Sequence, residues 1–166
     1  MPAGPRRQHH VVTLGARELH FVNLHLPPPE VYLGTVRGRP VPLYAGQSAR
    51  LRDGELEALL PALRDLARRP LVLAGDLNAT DATPAYQVLR RLGLRDAHRV
   101  AGWGFGFTFP AGGSLDLPLA RASIPPVARI DYVLHSTALA ARRAFVVPDS
   151  AGADHLSVVA DLSLRH

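Results

Sequence analysis

The most informative segment of the sequence is Leu71-Val-Leu-Ala-Gly-Asp-Leu-Asn-Ala79. Its apolar residues predict a short buried strand that ends near Gly75 and is followed by Asp76 and Asn78. Because side chains alternate along a strand, a continued strand would place the Asp76 carboxylate and the Asn78 amide on the same side. A strand ending in two such groups can support a polar site, although Gly, Asp and Asn also favour simple turns.

Three further segments place isolated polar residues in apolar surroundings. In chain order they are Phe21-Val-Asn-Leu-His-Leu26, Arg129-Ile-Asp-Tyr-Val-Leu134 and Ala153-Asp-His-Leu-Ser-Val-Val159. No segment is specific by itself, but their combination and order resemble the endonuclease/exonuclease/phosphatase superfamily. These are the metal-dependent phosphodiesterases related to DNase I and to abasic-site endonucleases. The resemblance covers nearly the whole chain, from about Val11 to Leu164.

The resemblance implies an α/β (α+β) fold, the four-layer α/β sandwich of the DNase I-like type. We expect one domain over residues 1–166, with residues 1–9 disordered. Members of this superfamily normally have a further N-terminal portion, which carries a metal-binding Glu. The glutamates here lack the context expected of that ligand; they are Glu18, Glu30, Glu55 and Glu57. We therefore expect this chain to correspond to the C-terminal part of such a domain.

The hydrophobic pattern predicts alternating strands and helices. Strands are expected over residues 10–14, 18–26, 71–74, 130–134, 144–147 and 156–162. Leucines from Leu51 to Leu66 recur at helical spacing and are expected to form the core-facing side of a helix. A second helix is expected after Thr83, with Pro84 at its first position and Gly93 at its end. Residues 27–48 and 101–128 are expected to be irregular.

Hydrolysis of a phosphoester requires charge neutralisation at the phosphoryl oxygens, an activated water and assistance to the leaving oxygen. Mg²⁺ or Mn²⁺ suits oxygen ligands, and Mg²⁺ typically needs only one or two protein carboxylates. The resemblance assigns Asp154 as a carboxylate ligand of that metal ion. The alternative is a loop aspartate that caps the backbone.

The resemblance also assigns catalytic roles. Asp76 would orient or deprotonate the attacking water, and Asn78 would donate a hydrogen bond to the phosphate. Asp131 and His155 would form a pair that acts as general base or stabilises the transition state. His25 would be a second imidazole near the phosphate or the leaving group.

The aromatic segment Trp103-Gly-Phe-Gly-Phe-Thr-Phe109 has two readings. Aromatic side chains can stack on substrate groups, and Trp103 is the candidate for that contact. Alternation with glycine more simply indicates a strand edge that buries one face, so we expect Phe107 and Phe109 to pack.

Composition restricts the function classes. Of 166 residues, 47% are hydrophobic and only 20% are charged, which argues against disorder. All 19 basic residues are arginine, and the net charge of +5 is compatible with a polyanionic substrate but is spread along the chain. The absence of cysteine excludes disulfides and thiolate metal sites. No segment approaches the ~18 apolar residues of a membrane span. Neither the compartment nor the oligomeric state is indicated.

The sequence therefore favours a divalent-metal-dependent phosphoester hydrolase, either a phosphodiesterase or nuclease or a phosphatase. Its partner would be a phosphodiester or phosphomonoester substrate, nucleic acid included. Two alternatives stay open: a catalytically inactive fragment, and a nucleic-acid-binding or scaffold protein that retains the fold. The loops carry no pattern that selects the substrate.

Overall fold

Strands and helices alternate along the chain in the computed structural model, which describes residues 6–28, 31–36, 39–44, 46–112, 114–117, 120–123 and 125–165. The strands are β1 (Arg7–Leu14), β2 (Arg17–Leu24), β3 (Val31–Val36), β4 (Arg39–Tyr44), β5 (Leu71–Asp76), β6 (Arg95–Asp96), β7 (Ser114–Leu117), β8 (Ala120–Ser123), β9 (Asp131–His135), β10 (Leu139–Val146) and β11 (Val158–Leu164). The helices are α1 (Gly46–Leu66), α2 (Pro84–Arg91) and α3 (Ala97–Ala101). The predicted α/β class is confirmed.

A five-stranded mixed sheet in the order β1-β2-β5-β9-β6 forms the centre of the fold. The β1–β2 hairpin pairs Leu14 with Arg17, which leaves a two-residue loop that begins at Gly15 with φ +62°. Strands β2 and β5 are parallel and are connected through α1, as a parallel pair requires. Strand β9 then pairs antiparallel with both β5 and β6.

The main hydrophobic core lies between this sheet and helices α1 and α2. The leucines of α1 that face it are Leu56, Leu59, Leu63 and Leu66, all of them buried. Burying each such side chain contributes about 1.5–3 kcal/mol. The expectation for Leu51 is wrong, because it is 60% exposed and the neighbouring Arg52 is buried. No helix in the described ranges is both long and apolar enough to cross a membrane.

Strands β10 and β11 form a separate antiparallel pair on the opposite side of the central sheet. An apolar cavity of about 660 Å³ lies between them and the sheet, with Val133 on one wall and Val158 on the other. Of the four layers expected, the described residues therefore supply one helical layer, the five-stranded sheet and two strands of a second sheet.

Three expectations about local structure are corrected. Strand β1 begins at Arg7, which pairs with Leu24, so residues 7–9 are ordered in a strand. The segment 27–48 contains the β3–β4 hairpin, and the segment 101–128 contains the β7–β8 hairpin. Proline argues against a strand because it donates no ladder hydrogen bond, and Pro40 and Pro42 of β4 obscured the first hairpin.

Gly75 allows β5 to pass close to the end of β2. Its φ is +132°, and an added Cβ would lie 2.0 Å from the carbonyl oxygen of Leu24. We expect Gly75→Ala to lower the free energy of unfolding by about 1–3 kcal/mol, because both the conformation and the contact become strained. Urea unfolding measures this change. The control is Gly54→Ala in α1, where an added Cβ meets nothing within 4 Å; equal midpoints for the two variants would contradict the prediction.

Candidate active site

Asp76 and Asp131 lie opposite each other at the ends of two paired strands. They are register partners between β5 and β9, so their side chains project to the same side of the sheet. Their side chains are 16% and 19% exposed. The sheet therefore holds the two carboxylates close to each other and partly shielded from solvent.

His155 completes a cluster with these two carboxylates. Its Nδ1 lies 2.8 Å from Oδ2 of Asp131, which is a hydrogen bond. One potential ligand atom from each of Asp76, Asp131 and His155 lies within 4.8 Å of the other two. Phe109 packs against the imidazole with ring centroids 4.9 Å apart and thus limits its orientation. The structure brings together three of the predicted site residues.

Asn78 meets Asp76 through a tight turn. Strand β5 ends at Asp76, and Asn78 has φ +47°, a conformation that Asn adopts more readily than most residues. Its backbone N–H donates to Oδ1 of Asp76 at 2.6 Å, and its Nδ2 donates to Oδ2 at 2.9 Å. The predicted proximity is correct, but strand alternation is not its cause.

The remaining hydrogen bonds of Asn78 tie this turn to two other elements. Its Nδ2 also donates to the carbonyl oxygen of Leu26 at 2.9 Å, so both amide protons have acceptors within the protein. Its own carbonyl oxygen accepts from Nη1 of Arg52 at 2.8 Å. Asn78 therefore orients Asp76, and the predicted donation to a phosphate stays a prediction.

Arg52 was not predicted from the sequence to be a site residue. It is 5% exposed, its Nε lies 3.1 Å from Oδ1 of Asp53, and it lines the same cavity as the aspartates. A signal was present, since Arg52 precedes Leu56 by four residues and Leu59 by seven. An arginine on the buried face of an otherwise leucine-lined helix indicates a polar partner inside.

His25 and Asp154 lie at the rim of this cavity, which has a volume of about 810 Å³. His25 is 61% exposed, and its Nε2 lies 3.7 Å from Oδ2 of Asp76. Asp154 is exposed and does not belong to the three-residue cluster, so its role as a metal ligand stays a prediction. Trp103 is 96% exposed and lies outside the walls of this cavity.

The surroundings of the cluster shift the pKa values of Asp76 and His155. Burial raises the pKa of Asp76, and the nearby Asp131 carboxylate raises it further against the opposing effect of the Asn78 backbone hydrogen bond. Burial alone would lower the pKa of His155, but its hydrogen bond to Asp131 and the surrounding carboxylates raise it above the ordinary value. A divalent cation would relieve the repulsion between the two carboxylates, and their oxygens are ligands of the kind that Mg²⁺ prefers.

Sequence comparison places the chain in a known family. A family model described as "Endonuclease/Exonuclease/phosphatase family" matches residues 2–155. The chain belongs to the endonuclease/exonuclease/phosphatase family. The resemblance inferred from the four sequence segments is thus confirmed. Among curated proteins, no significant match to the sequence was found.

Solved structures of this family have the same fold. A conserved protein of unknown function from Enterococcus faecalis aligns with 96% of this chain and 56% of its own, at 20% identity and a TM-score of 0.67. A 3′ phosphatase from Neisseria, bound to a product DNA hairpin, aligns with 96% of this chain and 66% of its own, at 21% identity and a TM-score of 0.67. A mannosyl-6-phosphatase from Bacteroides thetaiotaomicron aligns with 90% of this chain and 53% of its own, at 20% identity and a TM-score of 0.59.

These similarities confirm the predicted DNase I-like fold. The chain spans between 53% and 66% of the length of the three proteins. Similarity at 20–21% identity establishes the fold of this chain and not an activity.

Proposed function

We propose that this chain carries the catalytic groups of a divalent-metal-dependent phosphoester hydrolase. The observation that carries the proposal is the cluster of Asp76, Asp131 and His155, with its 2.8 Å bond between Asp131 and His155, in a cavity of about 810 Å³. A cavity of this size accommodates a small phosphoester, and one wall of it is rigid sheet.

Asp76 and Asp131 would hold the metal ion, with Asp154 as a further carboxylate from the rim of the cavity. Mg²⁺ or Mn²⁺ bound there would neutralise charge on the phosphoryl oxygens and would lower the pKa of a coordinated water. The fit rests on the donor set, which combines the partly buried carboxylates of Asp76 and Asp131 with the imidazole of His155.

The Asp131–His155 pair supplies proton transfer. Asp131 accepts the Nδ1 proton, which fixes the tautomer and leaves Nε2 as the basic nitrogen of the ring. From its position in the cavity wall, this nitrogen can accept a proton from the attacking water or stabilise the phosphoryl transition state. Phe109 holds the ring plane in place.

Asp76 positions the attacking water, and other residues position Asp76. Both of its oxygens accept hydrogen bonds from Asn78, which is in turn bonded to Leu26 and Arg52. The carboxylate thus has little rotational freedom. Catalytic groups held in this way lose little entropy when the substrate binds. His25 at the rim would contact the phosphate or the leaving group.

A phosphomonoester is the substrate type that we favour. The names of two similar structures, a 3′ phosphatase and a mannosyl-6-phosphatase, support phosphate release from a larger molecule. Nuclease activity on a phosphodiester is the second candidate, because the same groups would serve either reaction.

Metal removal tests the proposal. We expect phosphoester hydrolysis by this chain, measured as phosphate released from a monoester or as the cleaved product of a diester, to fall to background in excess chelator and to return when Mg²⁺ or Mn²⁺ is added. The panel contains a 3′-phosphorylated oligonucleotide, a hexose phosphate, an abasic-site duplex and a nitrophenyl phosphodiester. The Asp65→Asn variant removes an exposed carboxylate on α1. It should keep the turnover and the metal dependence of the unmodified chain. Turnover that persists in chelator, or the absence of turnover from folded protein at any metal concentration, would contradict the proposal.

A further inference from the structure

A second cavity adjoins the catalytic one. Its volume is about 520 Å³, and it shares Thr80 and Ala128 with the catalytic cavity. A substrate whose phosphoryl group reaches the aspartate–histidine cluster can therefore extend the rest of the molecule past these two residues. The second cavity has the size of a site for a small organic group.

Aromatic side chains form one wall across both cavities. Phe105 and Phe107 line the second cavity and stack on each other with centroids 5.1 Å apart and ring planes inclined by 9°. Phe109, two residues further, lines the catalytic cavity. Phe105 is 81% exposed, so one face of this stack is open to a ligand.

The aromatic segment is held in place by His98, which lies on α3 and is buried. A Cβ added at Gly106, which has φ +69°, would lie 2.7 Å from the His98 ring, and one added at Gly102 would be equally close. Gly102 and Gly106 therefore let the segment rest directly on the imidazole. This packing on His98 fixes the backbone next to Phe105.

Charged groups also line the second cavity. Asp81 bonds to Arg99 and to Arg129, whose Nη2 lies 3.2 Å from Asp81 Oδ2. Asp81 and Arg99 are 33% and 57% exposed, so donors and an acceptor are both accessible at the cavity surface. This lining disfavours an acyl chain. It suits a flat group that stacks on an aromatic face and has hydrogen-bonding edges.

We propose that the second cavity binds the nucleobase of a nucleotide substrate, with the base stacked on Phe105 and its polar edge toward Asp81 and Arg99. This inference rests on the proposed function, since it assumes that the phosphoryl group lies at the adjacent cluster. It names a nucleotide, and not a hexose phosphate or a phospholipid, as the substrate class.

The test is direct binding of 2-aminopurine riboside monophosphate, whose fluorescence is quenched when its base stacks. All variants carry Asp76→Asn, so that the probe is not hydrolysed. We expect Phe105→Ala to raise the Kd about tenfold, in line with the measured strength of base–aromatic stacking. Phe105→Tyr retains the ring and should keep both the quench and the affinity. Trp103→Ala removes a more exposed aromatic of the same segment that lies outside both cavities, and its Kd should change less than twofold.

The outcomes separate this inference from the proposed function. Absence of a quench, an unchanged Kd in Phe105→Ala, or a larger effect of Trp103→Ala would overturn the nucleobase site. Displacement of the probe by a hexose phosphate as readily as by adenosine monophosphate would overturn it in favour of a sugar. Probe binding that depends on Phe105, together with the absence of phosphoester turnover by the chain with Asp76 intact, would support the base site and refute the hydrolase. Because Phe105 is exposed, urea midpoints of the variants should match.

Discussion

Asp76→Asn is expected to lower the turnover number for phosphoester hydrolysis by about 10²–10⁴-fold. The amide has nearly the shape of the carboxylate but no negative charge, so it can neither accept a proton nor hold a cation of Mg²⁺ type. It also offers only one oxygen to the two hydrogen bonds that Asn78 donates. The measurement is kcat on whichever member of the substrate panel is turned over fastest by the unmodified chain.

Stability distinguishes a lost catalytic group from a damaged fold. Asp76 lies beside Asp131, and the pKa of Asp76 is raised by burial and by that repulsion, so the charged form is unfavourable in the folded protein. Relief of this unfavourable charge opposes the loss of one hydrogen bond from Asn78, so we expect the urea midpoint of Asp76→Asn without metal to lie close to that of the unmodified chain. A variant that keeps more than a tenth of the activity, or one that loses activity only because it unfolds, would contradict the assigned role.

Arg129→Met is expected to cost about 3–5 kcal/mol of the free energy of unfolding, because it leaves a buried carboxylate without its counter-charge. Arg129 is 7% exposed, and its Nη1 donates to Oδ2 of Asp96 at 2.8 Å. Asp96 is only 1% exposed and accepts a further hydrogen bond from Tyr86. The guanidinium also lies 4.8 Å above the ring of Tyr132, a favourable cation–π contact. Urea unfolding at neutral pH measures the loss.

An exposed ion pair of the same chemistry provides the control. Arg143 and Asp161 bond at 2.9 Å, but their side chains are 66% and 52% exposed. Arg143→Met should therefore change stability by no more than about 1 kcal/mol. If both arginine variants lose the same stability, burial of the Arg129 network does not have the energetic role assigned to it. Adding Asp96→Asn to Arg129→Met should recover part of the loss, since it removes the unpaired charge.

The central sheet could be predicted because its strands carry their own signals. The apolar run before Asp76 and the segment around Asp131 form strands β5 and β9, as their patterns indicated, whereas the pairing of these two strands is seen only in the structure. The two hairpins outside the sheet could not be predicted in the same way. Proline and glycine within β3–β4 are typical of loops, and only pairing between the two strands determines their structure.

Some residues of the candidate site could likewise be predicted from the sequence, and others could not. Asp131 and His155 could be paired through the family resemblance, and their 2.8 Å contact agrees with it. Arg52 and Phe105 could not be predicted as site residues, because the role of each depends on contacts with residues distant in the chain. Arg52 reaches the carbonyl oxygen of Asn78, and Phe105 lines the same cavity as Asp81 and Arg99. The pattern of a single sequence indicates periodicity and local chemistry. It does not indicate which residues distant in the chain will be in contact.

The pairing of Asp76 with Asp131 also links the geometry of the cluster to correct folding of the sheet. Along β9, Tyr132 and Leu134 enter the core while Asp131 projects from the other face of the strand. A slip of β9 by one residue would move the carboxylate away from Asp76 and would expel both core residues in the same step. A molecule with a misplaced carboxylate therefore also lacks its core and does not persist. Every molecule that reaches a stable fold carries its two aspartates in register.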